Sequence, residues 1–459
     1  MPSFRPPPAD RAARTRCAIA LCALALLVGC GARDSGAGAG ADGSPTGGSC
    51  ELDDQLAWVD ASMRDYYLFY DQVPTVRRSD HSDTASLLQA LRVPPDSFSF
   101  ITDAARSAAL FDEGERVGYG WKLTRRADRA LMITLVEIGS PLDLAGVRRG
   151  EVIRSINGLD EPTMTQGQYA EQLGSGDEVR TVRLGIEAID GSLRTVQVTR
   201  ERYSVRGVQQ LDIVERGALR IGYLNFLTFI EPASAELDRA FAELADVDEL
   251  VLDLRFNGGG RISVANQLAS RVGGAGVQGR DFTRFRYNDR AAGIPPEGLP
   301  QPFLRLADSL DLARVYVLSG PGTCSAAEMV INGLEPFVDV ITIGGATCGK
   351  PYGFRANERC GEALFAVEIA FVNDAGVGDY VDGLSPDCAV MPDGRTPLGT
   401  VAEPLFAAAL QHIESATCSM PAVQADGLSD ARRRPTSGPI ESPATRNPVD
   451  PFVDDLPPR

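Results

Sequence analysis

Apolar and polar positions alternate in three different ways along this chain. Leu56, Val59, Met63, Tyr66, Tyr67 and Tyr70 recur every three or four residues, which predicts a helix with one buried face. A second helix is predicted over Thr84–Leu91, ahead of Pro94-Pro95 and Asp96-Ser97-Phe98-Ser99. The aromatic stripe reads as core. From Val117 to Tyr203 short apolar runs are separated by glycines, as in a β-rich unit, with a strand over Leu131–Glu137. After Tyr203 the runs lengthen. Strands are predicted at Ala218–Phe226, Glu249–Arg255, Ala313–Leu318 and Val338–Ile343, and helices at Pro232–Leu244, Ile262–Val272 and Ala326–Leu334. A continuously apolar strand within such an alternation implies a parallel sheet with crossover helices, an α/β class. Residues Gly274–Leu312, bearing arginine and proline, are expected to form a substrate-side loop.

The ends of the 459-residue chain follow different rules. Arg11, Arg14 and Arg16 precede an apolar run from Cys17 to Val28 that is too short to span a bilayer, the pattern of an export signal. It ends in Leu27-Val28-Gly29-Cys30, which resembles a bacterial lipobox and implies cleavage before Cys30 and lipid attachment there. An ordinary signal with an incidental cysteine is the plainer alternative. The Ala/Gly/Ser-rich stretch after it would serve as a leash. Gly31, where an aspartate is associated with inner-membrane retention, favours an outer-membrane address on the periplasmic side. The expected organisation is a lipoprotein signal (1–30), a flexible linker (31–49), a helical module (50–112), a β-rich domain (113–203), an α/β core (204–418) and a disordered tail (419–459) rich in Pro, Asp, Ser and Arg.

Export changes how the cysteines count. Cys50, Cys324, Cys348, Cys360, Cys388 and Cys418 remain after the signal and Cys30 are set aside, and an even number in an oxidising compartment suggests three disulfides. The expected pairs are Cys324–Cys348, Cys360–Cys388 and Cys50–Cys418; free buried thiols are the alternative. A net charge of −17 argues against nucleic acid as a partner. The two histidines, His81 and His412, leave little for a histidine triad or a metal cluster, and no metal or cofactor is expected.

Only two of the 45 basic residues are lysines, Lys122 and Lys350. Arginine does not give up its proton, whereas a buried lysine can. Lys350 sits in the glycine-rich turn Thr347-Cys348-Gly349-Lys350-Pro351-Tyr352-Gly353, 25 residues after Ser325 in Thr323-Cys324-Ser325-Ala326-Ala327-Glu328. One helix and one strand fill that interval, so the fold can bring the two side chains together. Three readings compete. Ser325 and Glu328 match a helix capping box, which leaves Lys350 unexplained. Gly344–Lys350 fits a phosphate loop except that Pro351 stands where Ser or Thr should hold magnesium. The third is a hydrolase in which Ser325 attacks and neutral Lys350 accepts its proton. The amides of Ala326 and of Gly259 or Gly260 are then candidates for holding the oxyanion.

Two resemblances sharpen this. Gly118-Tyr119-Gly120-Trp121, followed by Gly139–Ile153 and Ile156-Asn157-Gly158, resembles a PDZ domain of the bacterial protease type, implying a loop that binds a peptide's C-terminal carboxylate. Val251-Leu252-Asp253-Leu254-Arg255 and the glycines after it, Thr323–Glu328, Gly349-Lys350 and Gly383-Leu384-Ser385-Pro386-Asp387 occur in the order of the carboxyl-terminal processing serine proteases. The resemblance covers about Cys50 to Cys418. It implies a βα spiral core like those of crotonase and Clp protease, Ser325 as nucleophile, Lys350 as general base, and protein substrates held by their C-terminal tails. Two positions depart from the family pattern: Phe354 replaces a glutamine that orients the lysine in many relatives, and Asn257-Gly258-Gly259-Gly260 replaces Asn-Pro-Gly-Gly. Tyr352 or a backbone carbonyl is expected to orient Lys350 instead. The rival function is a tail-binding adaptor without turnover.

Overall fold

The computed structural model describes residues 49–418 apart from 292–294 and 296–297, so the predicted signal, lipidation site Cys30, nearly all of the linker and the tail lie outside the described residues. Helices α1 (Leu52–Asp65) and α2 (Thr84–Leu91) form as their periodicity predicts and bury Leu56, Val59, Met63, Leu87 and Leu91 between them. Asp83 caps α2 by accepting the Ser86 amide at 2.7 Å. The module is not self-contained. Its cluster includes Tyr352, Leu364 and Val367 from far downstream, and strand β1 (Phe100–Asp103), which precedes the short helix α3 (Ala104–Ala108), pairs with a distant hairpin.

The β-rich unit contains β2 (Glu115–Gly118), β3 (Trp121–Arg125), β4 (Leu131–Val136), α4 (Pro141–Leu144), β5 (Val152–Ile156), β6 (Leu159–Asp160), α5 (Gln166–Leu173), β7 (Arg180–Glu187) and β8 (Leu193–Ser204). Its antiparallel sheet runs β2-β8-β7-β5-β4-β3, with β6 against β5. Alternate residues of β7 (Val182, Leu184, Ile186) point inward, the period-two pattern of a sheet with one solvated face. Strand β3 lies at the edge, paired only to β4.

The core follows as β9 (Val208–Arg216), β10 (Leu219–Phe226), α6 (Ala233–Glu243), β11 (Glu249–Asp253), α7 (Ile262–Gly273), β12 (Asp281–Arg286), β13 (Leu299–Pro302), β14 (Arg314–Ser319), α8 (Ala326–Leu334), β15 (Asp339–Gly344), β16 (Tyr352–Gly353), β17 (Asn357–Arg359), β18 (Glu362–Phe365), β19 (Ile369–Val372), β20 (Cys388–Ala389) and α9 (Pro404–Ser415). Its main sheet runs β20-β15-β14-β11-β10-β9 and is parallel except for β9. Helices α6, α7 and α8 cover one face and α9 the other, so every residue of β11 is buried. This is the α/β architecture that the continuous apolar strands imply.

Two expectations need correction. The region from Gly274 to Leu312 is not only loop: β12 and β13 form a hairpin within it and join β19 and β16 in a second sheet, β13-β12-β19-β16. Only the Cys324–Cys348 disulfide matches the expected pairs; the others are Cys50–Cys360 and Cys388–Cys418. Cys360 sits where the β17–β18 hairpin turns, beside the residues that lead into α1, and Arg359 donates to the Ser49 carbonyl at 3.3 Å. Cys388 is on the sheet-edge strand β20, where the chain arrives after α9. Neither proximity leaves a local trace in the sequence.

What matters for chemistry is one edge. Strands β11, β14 and β15 are parallel neighbours, so the loops after them open on the same side. Those loops carry Asn257–Gly260, Ser325 and Lys350, and crevices at the carboxyl ends of parallel strands are where α/β sheets place ligands.

Candidate active site

Ser325 occupies the turn between β14 and α8 with φ +57° and ψ −116°. A side-chain-bearing residue in this region carries strain of about 1–3 kcal/mol, which persists only where its surroundings over-determine it. They do so here. Thr323 Oγ1 donates to the Leu254 carbonyl at 2.9 Å, the Cys324 amide donates to the Asn257 carbonyl at 3.0 Å, and the Ser325 amide donates to Glu328 Oε2 at 2.9 Å. The capping contact thus exists, and it helps to hold the strained turn. Gly259 lies against it with φ +104°; a Cβ there would stand 2.8 Å from Ser325 Cβ, so only glycine fits.

Lys350 is reached through the same carboxylate. Glu328 is fully buried, and its two oxygens accept the Gly349 amide at 2.7 Å, the Lys350 amide at 2.9 Å and the Thr347 hydroxyl at 2.5 Å, besides the Ser325 amide. Burial pushes the Glu328 pKa up, while these donors work against it. The Cys348 amide donates to the Thr323 carbonyl at 3.0 Å, and the Cys324–Cys348 disulfide spans the same gap. The two loops are therefore clamped by a carboxylate, a backbone hydrogen bond and a covalent bond.

The Lys350 side chain is 5 % exposed. Burial pushes its pKa down from 10.5 to about 7, although the negative charges of Asp96 and Glu328 pull the other way. Among the described residues no hydrogen bond or ion pair reaches its amine, and none joins it to the Ser325 hydroxyl. The amine lies 3.9 Å from the ring centroid of Phe354 and 5.4 Å from that of Phe98. Ser325 and Lys350 line one cleft of about 420 Å³ with Gly259, Gly260 and Phe354, and Lys122 of the β-rich unit lines it too. A serine on a strained turn and a lysine poised near neutrality, sharing a cleft, can carry out acyl transfer once a substrate brings them together.

Comparison with known proteins points the same way. Residues 220–390 match the model of peptidase family S41, and residues 54–100 match the Peptidase S41 N-terminal domain. A chloroplastic C-terminal processing peptidase of Tetradesmus obliquus is 26 % identical over 353 residues, covering 72 % of each chain. The chain is a serine-type peptidase similar to the carboxyl-terminal processing proteases. A carboxyl-terminal-processing protease of Picosynechococcus is 24 % identical over 282 residues, covering 60 % of this chain and 64 % of that one. The crystal structure of an S41 protease from Bacteroides fragilis superposes with a TM-score of 0.64 at 26 % identity, over 78 % of this chain and 97 % of that one.

In this serine-type peptidase the structure brings Ser325, Lys350, Gly259 and Gly260 to one cleft, with Ala326 behind Ser325 as the first residue of α8. It also separates the two glycines. The Gly259 amide donates to Asn257 Oδ1 at 2.8 Å, while no such partner takes the Gly260 amide among the described residues. Gly118, Tyr119, Gly120 and Trp121 form the β2–β3 turn, with the Tyr119 carbonyl accepting from Leu142 at 3.1 Å and the Gly120 carbonyl from Glu137 at 2.8 Å. A Cβ on Gly120, at φ +85°, would stand 2.0 Å from Ser140 Cβ. The Tyr352 ring lies by Phe69 and Phe98, and it is Phe354 that faces the amine.

Sequence reasoning missed Asp96 and Phe98, which come to Lys350 from a module read as scaffold. It read Glu328 only as a cap. It also missed the network under the glycine loop, where Arg255 donates to Asp253 Oδ1 and Glu403 Oε2, each at 2.9 Å, and Tyr223 donates to Asp253 Oδ2 at 2.6 Å. A charged Asp-Leu-Arg inside an otherwise apolar strand end was the available signal for that network.

Proposed function

We propose that this peptidase cleaves proteins near their C-termini with a Ser325/Lys350 dyad, the β-rich unit acting as a PDZ domain that captures the substrate's tail. The observation that carries the reading is the clamp: one buried carboxylate, Glu328, holds both the strained Ser325 turn and the Lys350 loop. Neutral Lys350 takes the Ser325 proton as Oγ attacks the scissile carbonyl. The Ala326 and Gly260 amides receive the developing oxyanion, and the lysine returns the proton to the leaving amine. Water then hydrolyses the acyl-enzyme. The N-terminus of α8 favours negative charge at this point.

Tail capture is supported by the glycine turn beside β3, a sheet edge to which a peptide strand can add, and by Lys122 on β3 lining the cleft that holds the dyad. The core is read as a crotonase-like spiral. The anchor is read as lipid on Cys30, placing the enzyme on the periplasmic face of a membrane, with the outer membrane favoured. Among the described residues no helix is long and apolar enough to cross a bilayer.

The test is cleavage of a folded reporter protein carrying an unstructured apolar tail, against the same reporter with its terminal carboxylate amidated. The full chain should cut the first faster, chiefly through KM, and Ser325→Ala should cut neither. An adaptor is indicated instead if Ser325→Ala binds the tailed reporter normally and the wild-type chain never cleaves it.

A further inference from the structure

The Lys350 amine has rings for neighbours where a lysine of this kind would ordinarily find an acceptor. Its Nζ stands 3.9 Å from the Phe354 centroid and 5.4 Å from that of Phe98. Phe354 is itself fixed edge-on against Phe100 at 5.7 Å and Phe365 at 5.3 Å, and those two stack at 4.8 Å. Phe98 leans on Tyr352 at 6.4 Å. The rings thus come from two remote segments, the end of the helical module and the run into the β17–β18 hairpin.

The charges that act on the amine are already engaged. Asp96, in the loop after α2, accepts the Tyr67 hydroxyl at 2.9 Å, the Ser99 hydroxyl at 2.5 Å and the Phe98 and Ser99 amides at 2.7 and 2.9 Å. Glu328, on α8, is occupied by the amides and hydroxyl described above. Farther along the cleft stand Arg116, Lys122, Glu137, Arg261, Glu358 and Asp112, with Arg261 paired to Asp112 and Arg116 to Glu137.

We propose that Phe354, backed by Phe98, is the positioning residue for Lys350: the two rings wall its amine from water and hold it without an acceptor in the cleft it shares with Ser325. The inference rests on the dyad reading. A ring acts on an ammonium in two opposed ways. Its face attracts the cation, by about 0.5–2 kcal/mol. Its bulk excludes water, which disfavours the cation by more when the site is closed. The second effect is expected to win here, since the Lys350 side chain is buried and that burial already outweighs the charges of Asp96 and Glu328. With no donor aimed at it among the described residues, the neutral amine keeps its lone pair for the serine proton.

The two-lysine composition makes this measurable without catalysis. In full-length Ser325→Ala protein carrying isotope-labelled lysine, the side-chain resonances of Lys122 and Lys350 are followed against pH, with Lys122→Arg to assign them. Lys350 should titrate near pH 7. Phe354→Ala admits water and should raise that midpoint by about one pH unit or more. Phe354→Leu keeps the wall and loses the ring face, so its midpoint should stay or fall. With Ser325 intact, Phe354→Ala should lose about fivefold or more in kcat at pH 7 with KM little changed, and recover at higher pH. A wild-type midpoint near 10.5, or one unmoved in Phe354→Ala, overturns the inference. Cleavage retained by Ser325→Ala would sink the dyad and leave the titration result standing, so the two failures are separable.

Discussion

A lysine amine without an acidic partner in contact titrates where its surroundings put it, and at Lys350 those surroundings are two rings and a buried position on the cleft wall. The free base is needed for the proposed reaction, so kcat/KM should rise with pH through a limb centred near 7. Stability should move in the same direction. Between about pH 7 and the ordinary lysine value of 10.5 the unfolded chain binds a proton that the folded chain does not, so unfolding free energy increases with pH across that window. Lys350→Met should therefore abolish turnover while raising the melting temperature at neutral pH, and thermal unfolding checks it. Glu328 behaves oppositely. Removing its carboxylate strands three backbone amides and a hydroxyl in a buried site, so Glu328→Ala should lose about 2–4 kcal/mol of stability as well as turnover, as denaturant unfolding would show.

At the scale of elements, the two best-placed disulfides do different work. Cys324–Cys348 closes only 24 residues yet joins the Ser325 and Lys350 loops; Cys50–Cys360 spans 310 residues and lies at the surface beside α1. Replacing the first pair with alanines should lower kcat, with about 3–4 kcal/mol lost from stability. Replacing the second should lower stability with kcat at its wild-type value, and kinetics beside calorimetry on both variants would show the split. The Ser325 and Lys350 elements were legible in the sequence because their signals are local: apolar runs fix β11, β14 and β15, and glycines mark the turns after them. Helix α9 left a start signal as well, Glu403 with Pro404 at the first turn, and Glu403 does accept the Leu405 and Phe406 amides. The short strands β16 to β19 left almost none. Two- to four-residue strands carry too little periodicity, and β18 and β19 find partners in β1 and β12, far back along the chain.

Across the molecule the modules are less separate than composition suggests. The helical module supplies Asp96 and Phe98 to the lysine, and its strand β1 pairs with β18 of the core. Arg149 of the β-rich unit donates through Nε to the Thr396 carbonyl at 2.9 Å and lies 4.0 Å from both Asp393 and Glu403, the latter part of the Arg255 network. Burial pushes the Arg149 pKa down, which marks a cation kept in place by its setting. Arg149→Ala should loosen the β-rich unit against the core, read as faster amide hydrogen exchange around Asp393–Thr396 with the α1–α2 region unchanged. Such couplings could not be read from sequence, because each joins residues whose separation along the chain carries no pattern.

The dyad itself is tested most directly by fluorophosphonate labelling of the folded full-length chain as a function of pH, with the adduct located by peptide mapping. The expected result is a single adduct on Ser325, forming at a rate that rises with a midpoint near pH 7 and falls to background in Lys350→Met. Failure of the folded protein to label at Ser325 at any pH, or labelling that Lys350→Met leaves unchanged, would contradict it.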